Sequence, residues 1–120
     1  MKDIAFSKDN SVLVIAGENM MFLIYTQINS NYELKQTVNF SGFEGIAEKD
    51  RVEFCSISND REKIAFKGNM KSFYVFIRSS SGDYVFSHKE QIQYGSHSPI
   101  YISPSGTIVT ADSTNLYVFQ

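Results

Sequence analysis

An all-β fold is what the sequence predicts, and three observations carry it. The strand-favouring residues Val, Ile, Phe, Tyr and Thr number 42 of 120, whereas Leu and Ala, on which a helical chain leans, number 9. Short apolar runs are separated by clusters of Ser, Asn, Asp, Gly and Pro, the residues of tight turns. The same strand-and-turn pattern then recurs three times, and a period of this length decides an architecture.

The copies read IAFSKDNSVLVIAGENMMFLIYTQ (residues 4–27), EFCSISNDREKIAFKGNMKSFYVFIRS (53–79) and IYISPSGTIVTADSTNLYVFQ (100–120). The serine that opens the first turn falls at Ser7, Ser58 and Ser103, separations of 51 and 45 residues. The later aromatic strand ends at Tyr25, Phe76 and Phe119, separations of 51 and 43. Two anchors that agree this closely define a repeat.

Each copy opens with a strand that runs into a polar turn. Those turns are Ser7-Lys8-Asp9-Asn10, Ser58-Asn59-Asp60-Arg61 and Ser103-Pro104-Ser105-Gly106. A second strand leads to a second turn, at Gly17-Glu18-Asn19, Gly68-Asn69 and Asp112-Ser113-Thr114-Asn115. The aromatic third strand follows. A third turn, at Asn29-Ser30-Asn31 and at residues 79–83, leads to fourth strands over 32–40 and 84–93. The third copy stops at Gln120 without one. Links this short make neighbouring strands pair antiparallel, as meanders of four, four and three strands.

The apolar pattern selects among all-β architectures. Residues 12–16, 20–25 and 73–77 are apolar at consecutive positions, which predicts strands covered on both faces. The fourth strands are mixed, with Glu33, Lys35 and Gln36 in one and Ser87, His88, Lys89 and Glu90 in the other. Inner strands covered twice and a wetter outer strand describe a propeller blade. The expectation is a β-propeller segment of about two and a half four-stranded antiparallel blades, over 3–40, 51–93 and 99–120, with 39–50 an inter-blade loop. A β-sandwich of the same eleven strands is the alternative.

The stretches AFSKDNSVLVIAGENMMFLIYT and FCSISNDREKIAFKGNMKSFYVFIRS resemble degenerate WD-repeat blades. In that family a Ser-x-Asp-Gly-type turn joins the first two strands, and an aromatic strand ends in Trp-Asp. Here Tyr25, Phe76 and Phe119 stand at the Trp position, and Thr26, Ile77 and Gln120 at the Asp position. No Gly-His pair precedes any copy, so the family's side-chain hydrogen-bond network is missing. The string YVFIRSSSGDYVFSHKEQI is also similar to an FG-GAP-type blade, without that class's calcium loop. What the resemblance implies for function is a binding platform.

Repeats of this kind bury their faces only against neighbours, and rings close with typically four to eight blades. Two blades and three strands leave sticky faces at both ends. The chain is therefore expected to be a piece of a longer protein, or to complete a ring with other chains, a homo-oligomer included. The loop NFSGFEGIAEKD carries apolar teeth, and Phe40, Phe43, Glu44 and Ile46 are its candidate partner contacts. Local capping of the core by the same aromatics is the competing reading.

Chemistry is sparse. No phosphate-cradling glycine loop, cysteine pair or HExxH string occurs, so no cofactor and no metal is expected. The two histidines, His88 and His97, read as surface or turn residues. Cys55 reads as buried and inert, because no nearby base lowers its pKa. Asp9 and Asp60 read as turn formers rather than a carboxylate pair. Lys63, Lys67, Lys71 and Arg78 interleave with aromatics, but acids lie alongside and a solvated edge is expected rather than a nucleic-acid groove. A net charge of −2 also disfavours nucleic acid. The longest apolar run is too short to span a bilayer, and nothing after Met1 reads as a signal peptide. With one cysteine, an intracellular, cytoplasmic setting is expected.

The leading functional expectation is a non-enzymatic protein-protein interaction scaffold. One alternative is an enzyme or small-ligand domain using the ring's channel, with Asp3, Lys8, Arg51 and Glu53 as candidates. Another is a structural subunit of a large cytoskeletal or organellar complex. Phe6, Val14, Ile24, Phe54, Ala65, Val75, Ile102, Val109 and Val118 are expected to be buried.

Overall fold

The computed structural model describes residues 3–17, 21–39, 53–68, 71–93 and 98–120. They form three antiparallel sheets in which spatial order follows chain order. Strands β1 (Asp3–Phe6), β2 (Val12–Ala16), β3 (Met21–Ile28) and β4 (Asn31–Asn39) make the first sheet. The second holds β5 (Phe54–Ile57), β6 (Lys63–Lys67), β7 (Ser72–Arg78) and β8 (Tyr84–Gln91). The third holds β9 (Ile100–Ile102), β10 (Ile108–Ala111) and β11 (Leu116–Phe119).

One turn design opens all three sheets, and its serine explains the repeat. The Ser7, Ser58 and Ser103 carbonyls accept from the N–H three residues on, at 2.9, 3.0 and 2.9 Å. Their hydroxyls accept from the N–H of Val12, Lys63 and Thr107, where the next strand begins, at 3.0, 3.0 and 3.1 Å. The residue three past each serine has a positive φ: 62° at Asn10, 67° at Arg61 and 88° at Gly106. Asn and Gly suit that region, whereas Arg61 is held there by its surroundings. Asp9 and Asp60 accept from Ser11 and Glu62 N–H at 3.0 Å, so both are turn formers.

Register explains the spacing. Phe6↔Leu13 and Leu13↔Tyr25 match Ile57↔Ile64 and Ile64↔Phe76, so an offset of 51 holds through the first three strands of the first two copies, and it becomes 52 in the fourth, where Met21↔Asn39 matches Ser72↔Gln91. In the third, Ile102↔Ile108 and Ile108↔Phe119 each close one residue sooner, which turns a separation of 45 into 43. The first two sheets also share a bulge, between Ile24 and Tyr25 and between Val75 and Phe76, at the offset of 51. Bulges sharpen twist and re-aim an edge strand.

The sheets are laid face to face in one sense, with β1 beside β5 and β5 beside β9, as successive blades of a propeller segment are. Alternation along the middle sheet divides its side chains between two cores. Ile64, Phe66, Tyr74 and Phe76 face the first sheet and meet Val14, Phe22 and Ile24. Ala65, Phe73 and Val75 face the third and meet Ile100, Ile102 and Ile108. Phe22 stacks on Phe66 at 4.0 Å between ring centroids, and Phe76 meets Phe22 edge-on at 4.9 Å.

Two-sided coverage is thus a property of the middle sheet. In β2 and β3 buried and half-buried positions alternate, because among the described residues no other sheet covers the first sheet's far side. This corrects the expectation from consecutive apolar residues. Phe6 and Val118, expected to be buried, are 50% and 53% exposed because both point outward from the stack. Phe54 and Val109 are half-buried, while Val14, Ile24, Ala65, Val75 and Ile102 are buried as expected.

Candidate functional site

The outer faces of the first and third sheets carry most of the exposed large apolar side chains among the described residues. On the first sheet, pairing aligns Phe6, Leu13, Tyr25 and Leu34 in one row across all four strands. Ile4, Ile15 and Leu23 form the next row. Ile4, Phe6 and Leu34 are exposed, and Phe6 meets Tyr32 edge-on at 6.0 Å. On the third sheet, Val109 lies between Tyr101 and Val118, with Ala111 opposite Leu116 beside them. Tyr101, Val118 and Leu116 are exposed, Leu116 by 70%. Contiguous apolar patches on a protein surface mark interaction sites.

The covered seams show how such faces join. Apolar side chains fill each centre, and polar bonds pin the margins. Asp3 Oδ2 accepts from Cys55 N–H at 3.0 Å, and Ser56 Oγ accepts from Ile102 N–H at 3.0 Å. Gln36 on β4 exchanges two hydrogen bonds with the Tyr84 backbone on β8, both 2.8 Å, imitating a strand partner at that edge. Arg61 donates to Ser11 Oγ at 3.1 Å and lies 3.8 Å from Asp9, joining two of the serine turns.

A polar cluster that the sequence reading missed pins the second seam. Lys67, read as part of a solvated edge, is fully buried; its ammonium donates to the Ser98 carbonyl at 2.8 Å. Burial lowers its pKa, and the charges of Glu53 and Asp112 oppose that effect. Burial pushes the Asp112 carboxyl up, but bonds from the Tyr117 hydroxyl and the Thr114 and Asn115 N–H groups hold it well below the carboxylate range. Asp112 and Tyr117, five apart across the β10–β11 turn, were the available sequence signal.

The residues singled out from sequence fall as follows. Phe40, Phe43, Glu44 and Ile46 lie outside the described residues, as do Arg51 and His97. Asp3 is occupied with Cys55, Lys8 is exposed on the first turn, and Glu53 is half-buried with its charge acting on Lys67. His88 is exposed, 2.9 Å from Ser87 Oγ and 3.5 Å from Glu90. Among the described residues no group of three or more His, Cys, Asp or Glu could hold a metal ion. No family model matches the chain, and no curated protein matches it.

Cys55 and Tyr84 give these seams a pH signature. Burial, with the Asp3 charge adding to it, pushes the Cys55 thiol up to about 12. Burial raises the Tyr84 phenol to about 12 as well. Both hold their protons more tightly when folded, so their stability contribution is complete below 9.0 and 10.0 and is lost as pH climbs from those values toward about 12. Lys67 acts in the opposite sense, its lowered pKa adding stability as pH rises toward 10.5. The expected result is a urea midpoint that falls above pH 9.0, with a shallower fall in Cys55→Ala.

Proposed function

We propose that this chain is a non-enzymatic protein-interaction scaffold, one part of a larger propeller or multi-chain assembly in which further protein covers both outer faces. One observation carries the reading. The faces left open by the first and third sheets are apolar along whole rows, like the faces sealed inside the stack. The likeness of the copies to WD-repeat blades, whose rings serve mostly as binding platforms, supports it. Fold by itself does not fix function. Here the reading rests on surface chemistry.

Light scattering on the 120-residue chain tests it. The expected result is association above 13.6 kDa that grows with concentration, or a monomer that binds an apolar dye strongly. Leu116→Lys with Val118→Lys should reduce the association or the dye binding while leaving the β circular-dichroism spectrum unchanged. A monomer with no dye binding would refute the proposal.

A further inference from the structure

We infer that the cleft between the first and second sheets, at the β7–β8 turn, is a binding site for a phosphate group. The cleft has a volume of about 310 Å³ and draws its lining from both sheets. Lys35 enters from β4 and Arg78 from β7. Their side chains converge on Gly82: a Cβ there would sit 3.9 Å from Arg78 Nη2 and 4.0 Å from Lys35 Cε. Two cations are thus brought together from different sheets, an arrangement that repels itself until an anion joins it.

Among the described residues, the lining contains no carboxylate. Lys35 has no ion-pair partner among the described residues. Among the described residues Arg78 forms an ion pair with Glu62, 3.8 Å from Nη1 and itself more than half exposed, a contact weak enough for a dianion to displace. Ser81 and Thr26 add hydroxyl donors to the lining, and glycine at position 82, with φ 92°, keeps the approach clear of a side chain. Val12 and Ile24 line the same cleft and are buried, so the charges act beside an apolar wall where water screens them less. Arg presents a planar fork and Lys a point charge, a combination matched to tetrahedral phosphate oxygens.

Two sources can supply this group: a free phosphate, or a phosphorylated serine or threonine side chain. The test is a titration of the full chain with inorganic phosphate and, separately, with a short phosphoserine peptide. Chloride at matched ionic strength and the unphosphorylated peptide are the controls, with melting temperature and backbone amide shifts of residues 78–84 as readouts. A saturable response is expected from at least one phosphate probe. Lys35→Gln, at an exposed position without an ion-pair partner among the described residues, should keep the wild-type fold and weaken it about tenfold or more. Arg78→Gln should weaken it as well. Response to both probes identifies the phosphate group itself as the recognised element, and response to the peptide alone assigns it to a polypeptide side chain. No saturable response to either probe, or one unchanged in Lys35→Gln, overturns the inference.

Discussion

Val75→Asp is expected to abolish cooperative folding at neutral pH. Val75 is fully buried on β7, facing the third sheet among Ala65, Phe73 and Ile102. The two lysines of β6 on that face, Lys63 and Lys67, both donate to carbonyls, of Gly106 and Ser98. An ionised carboxylate there costs several kcal/mol at least, against a total of about 5–15 kcal/mol for a domain. Burial would raise the pKa of the new carboxyl, so its protonated form is the better tolerated one. The variant should therefore recover part of its melting transition as pH falls toward 4. Val85→Asp, on an exposed position of the neighbouring strand, should melt almost as the wild type does. A normal melt for Val75→Asp would show that the second seam is not closed.

Phe66→Ala should produce the second largest loss, about 3–5 kcal/mol. Phe66 is fully buried and sits at the centre of the first seam, stacked on Phe22 and edge-on to Phe76 at 5.7 Å. Removing the ring takes away its buried area, leaves a cavity and breaks both aromatic contacts. Because the ring bridges two sheets, the first sheet should loosen before the rest. Hydrogen exchange should then accelerate in β2 and β3 ahead of β9 and β10. Phe22→Ala should weaken the same contacts, and the double variant should lose less than the two single losses together.

How much of this was legible in the sequence follows from the range of each interaction. The turns were legible because Ser7, Ser58 and Ser103 bond to atoms four or five residues away. Strand count followed from the turns. Outward-facing positions were not legible: Phe6 and Val118 carry the same strand pattern as Ile24 and Val75, and only the neighbouring sheet separates the two fates. Lys67 reads as a solvent residue until Ser98, Glu53 and Asp112 are brought around it. The pairing of Gln36 with Tyr84 spans 48 residues and leaves no local trace. Nor does the convergence of Lys35 and Arg78 on Gly82, which depends on how two sheets meet.

The one-sense stacking of the three sheets gives the molecule a head and a tail. Their exposed surfaces are unlike each other, since Phe6 and Leu34 belong to the leading side and Tyr101 and Leu116 to the trailing side. Were the proposed covering partner a second copy of this chain, each unit added by the same contact would regenerate the end it covered, and growth would halt only when the curve met itself. A molecule spoiled on its trailing side alone would still be incorporated and then block the next addition. Trace amounts of such a terminator would limit polymer length out of proportion to their abundance, a behaviour that a two-fold symmetric contact cannot produce.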